Sequence, residues 1–94
     1  MIESKVQKKI TTYLEWQWYI VIKLITTNMS GIPDLIALKW SECLFVEVKT
    51  TIWVTSVLQK YIHKKIAENW WTVIVPYWYD DFLTKFLDDK KKIQ

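Results

Sequence analysis

Two carboxylates and a lysine interrupt an apolar stretch in the middle of the chain. Ile32-Pro33-Asp34-Leu35-Ile36-Ala37-Leu38-Lys39 is followed, after Trp40-Ser41-Glu42, by Cys43-Leu44-Phe45-Val46-Glu47-Val48-Lys49-Thr50. Charge inside strand-like sequence is costly unless it is paired or put to use. Alternation along a strand puts Phe45, Glu47 and Lys49 on one face and Leu44, Val46 and Val48 on the other. Asp34 opens the preceding strand, so a hairpin pairing brings its carboxylate beside Glu47, with Lys49 at the edge of the cluster. Two close carboxylates repel and raise one pKa unless a cation sits between them. Hard oxygen ligands with room for water suit Mg²⁺ or Mn²⁺, whereas zinc wants histidine or cysteine. The single histidine, His63, falls on a basic helix face, which argues against zinc. A cross-strand salt bridge of Asp34 or Glu47 with Lys49 accounts for the same residues, and the triplet alone does not decide between the two.

The surrounding pattern says what must hold these residues. Ile2, Val6, Ile10, Tyr13 and Leu14 recur at helical spacing, so residues 4–15 read as an amphipathic helix. A β-branched strand over 19–25 and the Thr-Thr-Asn-Met-Ser-Gly loop follow, then strands over 33–39 and 43–50 joined as a hairpin. Thr55-Ser56 is an N-cap for a second helix that buries Leu58, Tyr61, Ile62 and Ile66, with Lys60, His63, Lys64 and Lys65 mostly off that face. A short strand over 72–76 precedes a last helix, capped by Asp80 or Asp81 and carrying Phe82, Leu83, Phe86 and Leu87. Residues 88–94 read as a frayed tail. The order α-β-β-β-α-β-α predicts an α/β domain, a mixed sheet flanked by helices.

Ninety-four residues, 51% hydrophobic and 24% charged, fit one soluble domain over 1–94. The longest apolar run, residues 19–25, is broken by Lys23 and is far too short for a membrane span. No signal-peptide pattern opens the chain, so a cytoplasmic protein with no membrane partner is expected. Cys43, the only cysteine, reads as an inert thiol in a strand. The net charge of +3, carried on lysines alone, permits a polyanionic partner without demanding one.

One glycine against seven tryptophans is an unusual balance. Trp16, Trp18, Trp40, Trp53, Trp70, Trp71 and Trp78 fall at expected helix ends and turns, where glycine is the usual residue. With glycine in their place, these segments become ordinary turn sequences. The pattern predicts a gene that uses UGA for glycine, rendered here as tryptophan. The alternative is a tryptophan-rich surface that stacks on bases.

Four segments together carry a family resemblance: Glu3-Ser4-Lys5-Val6-Gln7, Gly31-Ile32-Pro33-Asp34-Leu35, Val46-Glu47-Val48-Lys49 and Ser56-Val57-Leu58-Gln59. Pro33-Asp34 followed by Glu47-Val48-Lys49 resembles the PD-(D/E)xK nuclease superfamily. All four in order, spanning residues 3–79, resemble its VRR-NUC branch, the virus-type replication-repair nuclease domain. The resemblance implies a restriction-endonuclease-like αβββαβ core. It implies that Asp34, Glu47 and the Val48 backbone carbonyl ligate Mg²⁺ or Mn²⁺, that Lys49 orients or deprotonates the attacking water, and that Glu3 supports the metal site. Gln59 would position water, Lys49 or phosphate. Glu3 would equally suit the positive end of its helix, Gln59 an exposed helical position, and Ser56 a simple cap. Lys5, Lys8, Lys9, Lys60 and Lys64 are candidate phosphate contacts, with Lys23 and Ser30 on a DNA-facing rim, although a solvated face explains lysines as well.

The expected function is a metal-dependent DNA endonuclease, structure-selective on branched DNA such as Holliday junctions and working as a homodimer in a bacterial or phage-infected cell. A flap or single-strand nuclease of the same fold, or a non-catalytic nucleic-acid-binding scaffold, are the alternatives.

Overall fold

The computed structural model describes residues 2–25, 27–29, 31–49, 56–69 and 71–93. The elements follow the expected order: α1 (Ile2–Trp16), β1 (Ile20–Lys23), β2 (Leu35–Lys39), β3 (Glu42–Val46), α2 (Val57–Glu68), β4 (Thr72–Ile74) and α3 (Tyr79–Ile93). The sheet order is β1-β2-β3-β4. The first three strands are antiparallel, and β4 joins β3 in parallel after the α2 crossover, which makes the sheet mixed.

The strand faces divide the core into two layers. Leu44, Val46 and Val48 point toward Val6, Ile10 and Leu14 of α1 and Phe82 and Phe86 of α3. Phe45 points the other way, onto Ile62 and Ile66 of α2. Each helix buries an apolar stripe against one face, as its 3.6-residue period requires. No helix among the described residues is long and apolar enough to cross a membrane. Cys43 is half-buried, and burial pushes its thiol above the usual range, in keeping with an inert residue.

Several boundaries differ from the sequence reading. The β1–β2 ladder stops at Lys23↔Leu35, because the chain ahead of Leu35 passes through Pro33, which has no N–H to donate. Beyond β3, Glu47 N still donates to Ile74 O (3.0 Å) and Lys49 N to Pro76 O (2.9 Å), so the chain stays extended along the β4 side through the charged residues. On α2, Leu58 and Tyr61 are exposed instead of buried; the helix turns Ile62 and Ile66 inward, onto Phe45, Ile36 and Val73. The tail expected to fray is helical to Ile93: Lys90 pairs with Glu42 and lies over the rings of Tyr19 and Phe86.

Two turns have backbones that do not suit their residues. At the end of α1, Tyr19 N donates to Leu14 O and Trp18 N to Glu15 O, both at 3.0 Å. This is the Schellman pattern with Trp18 at C′, the position glycine normally fills. Trp18 has φ +72° there and is 84% exposed. Between β2 and β3, Lys39 pairs with Glu42 across a two-residue turn whose first residue, Trp40, has φ +54°. Positive φ at that position alone is the type II′ pattern, which prefers glycine first. Left-handed backbone costs a side-chain-bearing residue about 1–2 kcal/mol. Trp53 and Trp70 lie outside the described residues.

Gly31, at φ +84°, meets both demands that only glycine satisfies. A Cβ there would stand 3.0 Å from Leu58 Cγ and 3.2 Å from Ile62 Cγ1. Its bareness lets α2 approach the segment that leads into Asp34.

Candidate active site

Asp34 sits one step beyond the last registered β2–β3 pair, Leu35↔Val46, and so faces Glu47 as the hairpin alternation predicts. Its Oδ2 accepts a hydrogen bond from Val48 N at 2.9 Å, while its backbone carbonyl accepts from Leu24 N at 2.8 Å. Glu47 is only 4% exposed, and its Oε1 has no hydrogen-bond partner among the described residues. Lys49 is buried too, with Nζ 3.8 Å from Glu47 Oε2, close enough for charge attraction but too long for a hydrogen bond.

The electrostatics follow from this crowding. Desolvation first, then the negative charge of Asp34, pushes the Glu47 carboxyl up to about 8; Lys49 pulls in the other direction, while Asp34's hydrogen bond and the charge of Glu3 add to the rise. One ammonium at 3.8 Å does not offset the burial of Glu47 together with the neighbouring charge of half-buried Asp34. The cluster is therefore short of positive charge.

Those features fit a divalent cation. The donors are hard oxygens, and a buried carboxylate oxygen stands without a partner. Among the described residues no three histidine, cysteine, aspartate or glutamate side chains gather in a ready-made cage. Asp34, Glu47 and the Val48 carbonyl would hold the ion, with other positions open to water or phosphate, as Mg²⁺ prefers. Glu3, at the start of α1, reaches the cluster through its charge on Glu47.

Gln59 has a local task. Ser56 caps α2 by accepting from Gln59 N, and Gln59 Oε1 accepts from Ser56 N, a reciprocal capping box. One turn on, His63 lies on the same helix face. It was expected on the basic outer side, yet it is half-buried with Nε2 enclosed and unpartnered among the described residues. Desolvation, then the charge of Lys49, lowers its pKa, which places it within electrostatic reach of the site. The spacing of four from Gln59 was the available signal; the neighbouring lysines obscured it.

The lysines divide between the two sides of the sheet. Lys5, Lys8 and Lys23 line one groove between α1 and β1. Lys9 turns to the ring of Tyr79, 5.8 Å from its centroid. Lys60 and Lys64 are exposed on α2, across the sheet. Ser30 lies outside the described residues.

No family sequence model and no curated protein matches the chain. Among solved structures, one described as "VRR_NUC domain" is similar over 94% of this chain and 96% of its own, with a TM-score of 0.80 and 27% sequence identity. The chain thus has the VRR-NUC domain fold, with its restriction-endonuclease-like core, in agreement with the four motifs.

Proposed function

We propose that this VRR-NUC domain is a metal-dependent DNA nuclease whose active site is Asp34, Glu47 and Lys49. The observation that carries the reading is the buried Glu47 carboxyl, held against Asp34 with Lys49 at 3.8 Å and one oxygen unpartnered among the described residues. Folding makes ionised Glu47 costly here, so that the carboxyl keeps its proton up to about pH 8, which makes sense where a cation is to take that proton's place.

Bound there, Mg²⁺ or Mn²⁺ would acidify an attacking water and neutralise charge on the phosphodiester. Asp34 and Glu47 would hold the ion, and the Val48 N–H fixes the orientation of the Asp34 carboxylate. Lys49 orients the water and offsets the extra charge of the pentacovalent transition state. Burial of the cluster keeps bulk water from screening these charges.

Branched DNA is the preferred substrate in this reading, and a homodimer the working form. β1 is an edge strand, and Ile20 and Ile22 are exposed on the face that α2 leaves open. Pairing two β1 edges about a two-fold axis would cover them and present two sites to two strands. Titration calorimetry with Mn²⁺ tests the metal site: the parent binds and Asp34→Asn loses affinity at least tenfold. Equal binding by both would remove Asp34 from the site. Light scattering of the purified protein reads the dimer directly.

A further inference from the structure

Three of the described residues have a left-handed backbone: Trp18 at φ +72°, Gly31 at φ +84° and Trp40 at φ +54°. A Cβ in that region crowds the following carbonyl oxygen, which is why glycine is its usual occupant and asparagine or aspartate the next choice. Here one of the three is the chain's single glycine and the other two are tryptophan.

The two tryptophans arrive at this backbone by unrelated routes. Trp18 is the C′ residue of a Schellman motif, fixed by the bonds from Tyr19 N to Leu14 O and from Trp18 N to Glu15 O that close α1. Trp40 is the first residue of the type II′ turn between Lys39 and Glu42. That turn sets the register of β2 on β3, and a one-residue slip turns the side chains of a strand to the other face. The residue at its head therefore bears on whether Asp34 and Glu47 meet.

Neither ring repays its backbone, since Trp18 is 84% exposed and Trp40 93%. The other described tryptophans lack the signature. Trp16, Trp71 and Trp78 have φ outside the left-handed region, and the rings of Trp71 and Trp78 lie 6.0 Å from Phe45 and 6.1 Å from Tyr77. Only positions 18 and 40 carry a backbone requirement for glycine. Two turns that call for glycine by separate rules, both holding the same bulky residue, point to one cause at the codon. UGA is a stop in the standard code and tryptophan in some others; a UGA assigned to glycine and rendered as tryptophan places tryptophan at such positions.

We propose that residues 18 and 40 are glycine in the protein as its own cells make it, encoded by UGA, so that the domain is completed only where UGA is read as glycine. UGA at both codons, with glycine at both by peptide mass in protein isolated from those cells, is the expected result. UGG at either codon, or tryptophan by mass, overturns it. The unaltered gene in a host that stops at UGA yields no chain that extends to residue 18, and a full-length product there overturns it equally.

Stability gives a test that does not need the gene. Trp18→Gly and Trp40→Gly each raise Tm by roughly 4–8 °C, and alanine at the same positions gains much less, because its Cβ meets the same carbonyl. Trp16 is the control: it is 79% exposed but lies in the last turn of α1 with φ outside the left-handed region. Trp16→Gly brings no gain, since glycine in a helix is unfavourable. Equal gains from alanine and glycine at 18 and 40, or a gain at 16 that matches the gain at 18, would trace the effect to loss of an exposed ring and overturn the glycine assignment.

Discussion

The backbone N–H of Val48 donates to Asp34 Oδ2 across 2.9 Å, so the residue that follows one carboxylate fixes the orientation of the other. The relationship joins the two halves of the motif, 14 residues apart, through a single hydrogen bond.

It separates two substitutions of the same residue. Asp34→Ala removes the acceptor and leaves the Val48 N–H unpaired, costing about 1–3 kcal/mol of stability. Asp34→Asn keeps an acceptor and relieves repulsion on Glu47, so its stability stays within about 0.5 kcal/mol of the parent. Both lower single-turnover cleavage by about 10²–10³ or more. Thermal melts alongside rate measurements distinguish these outcomes.

The raised Glu47 pKa makes the metal-free protein sensitive to pH. A carboxyl at about 8 in the folded chain and near 4.5 when unfolded keeps its proton longer in the native state, so stability falls as pH rises across that window. His63, lowered from 6.5, works in the opposite direction at its acidic end. Between pH 6.5 and 8 the Glu47 contribution stands alone. Tm in chelator should decline there, and Glu47→Gln should flatten the decline. Mg²⁺ affinity should rise with pH and level off above 8, because the ion displaces that proton.

Lys49→Met should reduce the cleavage rate by about 10²–10⁴ while DNA affinity changes less than threefold, since a buried ammonium beside Glu47 serves the reacting phosphate rather than the duplex surface. Rate and affinity measured on one junction substrate separate the two effects.

Lys90→Ala should destabilise the fold by about 1 kcal/mol, combining an ion pair with Glu42 and contacts over the rings of Tyr19 and Phe86. A denaturant melt would show this, whereas a frayed tail would give no change.

The hairpin was legible because period-2 alternation fixes which residues share a face, and Asp34, Glu47 and Lys49 follow it. The four motifs extended that reading to the whole fold. The α3 tail was not legible: its lysines resemble a solvated end, and the partner of Lys90 is 48 residues away in sequence. Leu58 and Tyr61 misled because periodicity groups the apolar residues of a helix but does not say which of them the packed stripe, here Ile62 and Ile66, leaves outside. His63 was hidden among lysines on a helix whose inward face is set by Phe45 and Gly31, neither of them near it in sequence.

The central claim is that buried Glu47 and half-buried Asp34 together bind a metal that cuts DNA. Incubating a four-way junction, a flap and a linear duplex with the protein in Mg²⁺, Mn²⁺ or EDTA, beside Glu47→Gln, tests it most directly. The account predicts metal-dependent cleavage, strongest on the junction, absent in EDTA and lost in Glu47→Gln with folding intact. Cleavage by Glu47→Gln at the parental rate, or binding without cleavage in either metal, would contradict it.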